Sequence, residues 1–323
     1  MMKIYLPNSV WIGNIDPFIN SFDTSNENIL EITSHKKWVY VHPVVLCIIT
    51  GIGLFMREHK TKINFERMTA TSKHYFERMK LFELLNLESN IKITSHESAG
   101  RFIPITQIKN SEDLDNFIRE MIPLLHLKPE QAEPIKYIIS ELVRNVLEHA
   151  SSPCGAIVCA QYYKKSNTIR MGVVDVGVGI KRTLEKYYHP KDDLEAISLA
   201  LTPGVTGTTK KIGGTERNAG AGLFFIKSLA KISRDFFMIY SGEAMYKLLK
   251  TNKNKEVKLV SNPFQDHYSS KNKLPFWKGT AVGIDICLDE TINFNELLDL
   301  IRKVYREGKK EENKLKYKKP RFI

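Results

Sequence analysis

Three side chains of the 323-residue chain, Glu141, Asn145 and His149, recur at every fourth position of a segment whose pattern predicts one long helix, Gln131–Ala150. That spacing lines them up on a single stripe. Ile135, Ile138, Ile139, Leu142, Val146 and Leu147 make the apolar side of the same helix. A carboxylate and a carboxamide one turn apart suit a hydrated Mg²⁺, which takes few protein ligands and completes its shell with water and phosphate oxygens. The carboxylate of Glu141 can instead polarise an attacking water or hydroxyl. A solvated helix face has the same spacing, and the helix taken alone favours that plainer reading.

Three further motifs follow in order. Val173-Val174-Asp175-Val176-Gly177-Val178-Gly179 reads as a buried strand ending in Asp-x-Gly-x-Gly. It sets a carboxylate at the strand end, where two glycines let the chain turn and a ligand approach. A buried acid there can accept a hydrogen bond from an exocyclic amine such as that of adenine. The motif lacks the third glycine of a dinucleotide fingerprint, and no helix is expected directly after it. Asn218-Ala219-Gly220-Ala221-Gly222-Leu223 opens a helix near residue 221, so free backbone N–H groups and the positive end of a dipole can face phosphate. The stretch before it, with Gly204, Gly207, Thr208, Thr209, Gly213 and Gly214, suits a mobile lid or an ordinary linker. Last, Gly279-Thr280 heads the final strand.

The elements that position these motifs read as α/β. Strands are expected at Ile29–Ile32, Trp38–Val41, Lys62–Phe65 and Arg101–Ile108, and helices at Pro43–Arg57, Ser72–Leu85 and Asp113–Leu125. The second half gives strands at Gly155–Tyr163, Thr168–Val174 and Gly279–Leu288, a helix near Asp193–Leu201 and a last helix at Asn293–Arg306. The apolar run Trp38–Met56 approaches the length of a membrane span, but His42-Pro43 divides it into a strand and a buried helix.

The order of the motifs carries a resemblance. SELVRNVLEHA, VVDVGVGI and NAGAGLFFIKSLA resemble the three nucleotide-binding boxes of the ATP-binding domain shared by DNA gyrase, heat-shock chaperones, histidine kinases and mismatch-repair proteins, the GHKL superfamily. The His-Ala that ends the first box is most similar to anti-sigma-factor serine kinases and histidine-kinase catalytic domains. The likeness covers residues 131–290 and implies a Bergerat-type two-layer α/β sandwich with a mixed sheet, binding ATP and Mg²⁺. Carried over by position, it implies Glu141 as general base or orienter of the nucleophile, Asn145 as the Mg²⁺ ligand and Asp175 as acceptor from the adenine amino group. Gly177 and Gly179 would shape the adenine pocket. Gly220 and Gly222, with Leu223 after them, would approach the phosphates, and Thr280 would support the adenine end. His149 faces phosphate or caps its helix.

The alternation of strand and helix in the first hundred residues is similar to the STAS-type domain of anti-sigma-factor antagonists. It departs at Val41-His42-Pro43-Val44-Val45, where those antagonists carry a phosphorylatable serine and this chain has no hydroxyl before Thr50. A docking or dimerisation module is expected in its place. The resulting plan is a STAS-like domain at 1–100, the ATP-binding domain at 101–300 and a basic tail at 301–323.

Composition bounds the partners. The net charge is +12, which by itself points to nucleic acid or an anionic surface. It resides in two places, the stretch Lys247–Lys273 and the tail Arg302–Arg321, and the rest of the chain is neutral. Such runs read as solvated faces. The start of the chain lacks a secretory pattern and the four cysteines are scattered, so a reducing cytoplasm and no membrane are expected. The expected function is an ATP·Mg²⁺-binding regulatory protein that hydrolyses ATP or switches with nucleotide, working with a protein partner or as a homodimer. A serine protein kinase is the alternative, with histidine as a less favoured target. A nucleic-acid-associated ATPase using the basic tail comes after it.

Overall fold

The computed structural model describes residues 2–23, 29–37, 39–66, 72–89, 102–205, 222–288, 298–307 and 310. Residues 2–89 supply strands β1 (Met2–Leu6), β2 (Ser9–Val10), β3 (Ile29–Ser34), β4 (Tyr40–Val41) and β5 (Lys62–Phe65). Their helices are α1 (Asp16–Asn20), α2 (Pro43–Glu58), α3 (Lys73–Arg78) and α4 (Leu81–Leu85). β1, β3 and β5 form a parallel sheet in that order, and β2 pairs parallel with β4.

Residues 102–288 supply strands β6 (Phe102–Ile108), β7 (Ala156–Tyr163), β8 (Thr168–Asp175), β9 (Phe237–Gly242), β10 (Ala244–Leu248), β11 (Tyr268–Lys271) and β12 (Trp277–Cys287). The helices are α5 (Ser111–Asn116), α6 (Pro129–Asn145), α7 (Gly179–Tyr188), α8 (Asp193–Ala200) and α9 (Gly222–Ile232). Helical residues 298–307 are called α10. The fold class is α/β, with parallel and antiparallel sheets.

The large sheet has seven strands in the order β11-β10-β9-β12-β8-β7-β6. The mixed sheet implied by the resemblance is not what forms: every neighbouring pair in it is antiparallel, and parallel pairing is confined to residues 2–66. The cause is connectivity. A four-residue connection, Lys164 to Asn167, joins β7 to β8 and forces them antiparallel. The crossover from β8 through α7, α8 and α9 to β9 leaves those two strands running in the same direction, but β12 inserts between them and runs against both, so no parallel pair forms.

Both faces of this sheet are covered, which explains why its strands are apolar almost without interruption. Alternate residues feed two separate cores. Val158, Ala160, Val173, Phe237 and Ile239 face the side packed by α6 and α9. Ile157, Cys159, Val174, Met238 and Tyr240 face the other side, where they join Val44, Ile48 and Ile49 of α2 in one cluster. Residues 2–89 therefore pack as a layer on the back of the large sheet and share its core.

The contact is built on a pair of glycines. Gly172 and Gly283 are register partners on β8 and β12, and both lie beneath Val44. A β-carbon at Gly172 would sit 2.4 Å from the Val44 Cα, so only a bare backbone admits the helix there. Gly172→Val is expected to lower stability by about 2 kcal/mol or more through overpacking, read as a fall in the thermal midpoint.

α2 starts where His-Pro predicts. His42 accepts a hydrogen bond from the Val44 N–H through Nδ1 (3.1 Å), and Pro43 occupies the first helical position. His42 Nε2 is 2.8 Å from Asp285 Oδ1 of β12, and burial keeps the imidazole below its ordinary pKa. The neutral ring therefore donates from Nε2 to the carboxylate. Among the described residues no helix is long and apolar enough to cross a membrane.

Two expectations shift in detail. The single helix expected at Ser72–Leu85 is broken at Lys80, which has φ of 62°. A continuous helix would turn Leu81 about half a turn away from Met79. The break lets both be fully buried. The helix expected at Asp113–Leu125 runs continuously from Ser111 through a π turn to Leu125, capped by the Asn110 side chain on the Asp113 N–H (2.9 Å).

The Lys-rich stretch also differs from a solvated run. Lys247 is 4% exposed and pairs with Asp16 of α1, Lys271 joins the same carboxylate (3.1 Å), and Lys250 pairs with Asp235 (2.6 Å). Asp266, from the same stretch, is buried against Lys227 and Lys231 of α9. Part of this charge is internal structure. The tail beyond residue 310 lies outside the described residues.

Candidate functional site

A cavity of about 360 Å³ lies between the front of the large sheet and helices α6, α7, α9 and α10. That volume falls in the range of small-molecule sites, roughly 300–1,000 Å³. Glu141, Asn145, His149, Asp175, Gly179, Gly222, Leu223 and Thr280 all line it. Gly177 packs behind it, and Gly220 lies outside the described residues, as do Gly207, Thr208, Thr209, Gly213 and Gly214 of the expected lid. Four motifs far apart in sequence thus meet around one space.

One end is built on Asp175. It is the last residue of β8, 2% exposed, and Thr280 of β12 is its register partner. Its Oδ1 accepts the Gly177 N–H at 2.7 Å. Burial pushes the carboxyl up to about 7, while the backbone N–H groups of Gly177 and Thr280 pull it down. It has no cationic partner among these contacts, so it is an acceptor held ready in an apolar surround that includes Val173 and Val282.

The loop after Asp175 is clamped to the end of α6. A π turn, Val146–Ala150, extends α6, and the Ala150 carbonyl accepts the Val178 N–H at 2.8 Å. A β-carbon at Gly177 would lie 2.0 Å from that carbonyl oxygen, so the position demands glycine. This contact is what sets the Asp175 loop beside the His149 end of the helix.

The expected absence of a helix after Asp-x-Gly-x-Gly is corrected, because α7 begins at Gly179 itself. Its Ile180, Thr183 and Leu184 line the cavity. The signal was present as Ile180, Leu184 and Tyr188 at helical spacing, masked by the intervening polar residues. Ser241 was also missed. Its hydroxyl donates to the Gly279 carbonyl (2.7 Å) and accepts the Ile180 N–H (3.0 Å), tying β9, the head of β12 and the start of α7 together behind the cavity.

The other end is polar. Glu141 is half-buried on α6; burial raises its carboxyl above the usual range and Arg144, 3.8 Å away, pulls it down. The first turn of α9 meets it: a β-carbon at Gly222 would lie 2.8 Å from Glu141 Oε2 and 3.8 Å from Asn145 Nδ2. α9 is an 11-residue helix, long enough for its first N–H groups to carry the positive end of a dipole. His149 is 3.8 Å from Glu148 and lies between the two ends. Tyr137 and Arg302 complete the rim, and neither was singled out in the sequence.

The donor set suits Mg²⁺ only in company. Among the described residues no three His, Cys, Asp or Glu side chains cluster to hold a metal. Glu141 and Asn145 offer oxygen donors one turn apart, the small protein share that Mg²⁺ takes when phosphates supply the rest. No known family model matches the sequence, and no curated protein matches it either.

Proposed function

We propose that the chain binds ATP·Mg²⁺ in this cavity and acts as a GHKL-type regulatory protein. The observation that carries the reading is Asp175: a buried carboxylate without a cationic partner, at the closed end of a ligand-sized cavity whose far end holds Glu141, Asn145 and a helix N-terminus. Asp175 accepts from the adenine amino group. The apolar side chains of β8, β12 and α7 take the ring. The N–H groups of α9 take phosphate. Asn145, with Glu141 beside it, would hold the Mg²⁺, whose contribution is to neutralise phosphate charge. Glu141, whose burial raises its carboxyl pKa and so makes the carboxylate a stronger base, takes the proton of an attacking water or hydroxyl or orients it.

Residues 2–89 serve in this proposal as the docking layer. His42, where a STAS-type antagonist has its phosphorylatable serine, is fully buried and bonded to Asp285, which argues against a phosphorylation switch there. The ion pairs of Lys247, Lys250 and Lys271 count against nucleic acid as the principal partner.

Incubation with ATP labelled on the γ-phosphate, with and without cell extract, separates a binder, an ATPase and a protein kinase. Label in inorganic phosphate means hydrolysis, and label on protein means transfer. Glu141→Gln is expected to keep nucleotide binding within a few-fold and to lower any turnover by about a hundredfold or more, the usual weight of a general base. An unchanged rate in that variant removes Glu141 from the chemistry.

A further inference from the structure

Arg302 stands at the cavity rim on α10, in the stretch that reads as basic tail. The helix carrying it is seated along one face. Ile301 is fully buried, Leu298 nearly so, and the Tyr305 ring is 6.4 Å from that of Phe225 on α9. The guanidinium thus projects from fixed backbone. Its ion pair, with Asp299 at 2.8 Å, is between two exposed side chains and costs little to exchange. Its charge also acts on the Tyr137 hydroxyl, which places it at that end of α6.

Position along α6 orders the cavity. Ala150 marks the Asp175 end, then come His149, Asn145 and Glu141, and Tyr137 with Arg302 is last. At 1.5 Å per residue the span from Ala150 to Tyr137 is about 20 Å. Arg302 is the one Lys or Arg side chain in the described lining. The α9 N–H groups are dipoles without net charge, and Glu141 adds a negative one. A phosphate chain running from Asp175 toward Tyr137 therefore meets its fixed cation only at its far end. The planar guanidinium fork matches two oxygens of a phosphate.

We propose that Arg302 pairs with the terminal phosphate and makes the site select a nucleoside triphosphate over the diphosphate. This rests on the nucleotide reading above. The consequence is that the part of the basic tail nearest the core belongs to the site, while Arg306 and Lys303, exposed outside the cavity, do not.

The test is calorimetric titration of the full chain with the β,γ-imido analogue of ATP and with ADP, both with Mg²⁺. Wild type, Arg302→Gln, Arg302→Lys and Arg306→Gln are compared. A charge-assisted hydrogen bond implies that Arg302→Gln weakens the triphosphate analogue roughly tenfold to a hundredfold. ADP should change less than about threefold, Arg302→Lys should fall between, and Arg306→Gln should match wild type. Equal losses for both nucleotides, or none for either with wild type binding normally, overturn the role of Arg302 and leave the nucleotide site standing. Failure of wild type to bind either nucleotide overturns both.

Discussion

Asp175→Asn is expected to weaken adenine nucleotide binding by about a hundredfold or more. The carboxylate is the only charged acceptor at the closed end of the cavity among the described residues. A carboxamide there loses the charge that strengthens the bond to the adenine amine and can present its own NH₂ to that donor. The same variant carries a stability signature that separates a binding defect from misfolding. In the folded chain the carboxyl titrates near 7, raised by burial from an ordinary value of 3.8. Between those values the folded state holds a proton that the unfolded state has lost, so this group's contribution to stability falls as pH rises through the window. The total cost is about 4 kcal/mol above pH 7, at about 1.4 kcal/mol per unit. Relative to wild type, Asp175→Asn should therefore gain stability progressively from pH 4 to pH 7. Chemical denaturation at several pH values checks this, and parallel stability curves would refute the buried-acid account.

Binding should follow the same group with the opposite sense. The ionised form is the better acceptor for an amine. Wild-type affinity for adenine nucleotides should therefore rise roughly tenfold between pH 6 and pH 8, as the carboxylate fraction rises. In Asp175→Asn that component should vanish.

Asp266→Ala is expected to have the largest effect on stability, about 3–5 kcal/mol of loss. Asp266 is buried between Lys227 and Lys231 on α9, one turn apart. Lys227 is fully buried, and burial already holds its ammonium below the ordinary pKa with Asp266 opposing. Removing the carboxylate leaves two desolvated cations with mutual repulsion. α9 is also the helix whose first turn faces Glu141, so the surviving folded protein should bind nucleotide less tightly. Lys227→Met with Asp266→Ala removes one of the stranded charges and should restore part of the loss. Thermal unfolding of the single and double variants decides this. A single variant as stable as wild type would mean that the triad is incidental.

How much of this was legible varied by element. The His-Pro boundary of α2 was readable because a proline at the first helical position and an extended residue before it are local rules. Glu141, Asn145 and Asp175 were readable because helix period and strand-end glycines place them without reference to the rest of the fold. The back layer was not. Its seat is made by Gly172 and Gly283, which are distant in sequence and become neighbours only when β8 pairs with β12. The all-antiparallel order depends on β12 inserting between β8 and β9, again a long-range event. Arg302 was hidden inside a charge run, where nothing in the spacing distinguishes its side chain, which lines the cavity, from the exposed Lys303 and Arg306. Lys247 was hidden likewise, since its partner Asp16 comes from the other end of the chain.

The central claim is that the cavity between α6, α9 and the sheet is an ATP site. Calorimetric titration of the wild-type chain with ATP and Mg²⁺ tests it most directly. Saturable binding of one nucleotide per chain, displaced by ADP and lost in Asp175→Asn, is the predicted result. No heat of binding and no thermal stabilisation at millimolar ATP would contradict it.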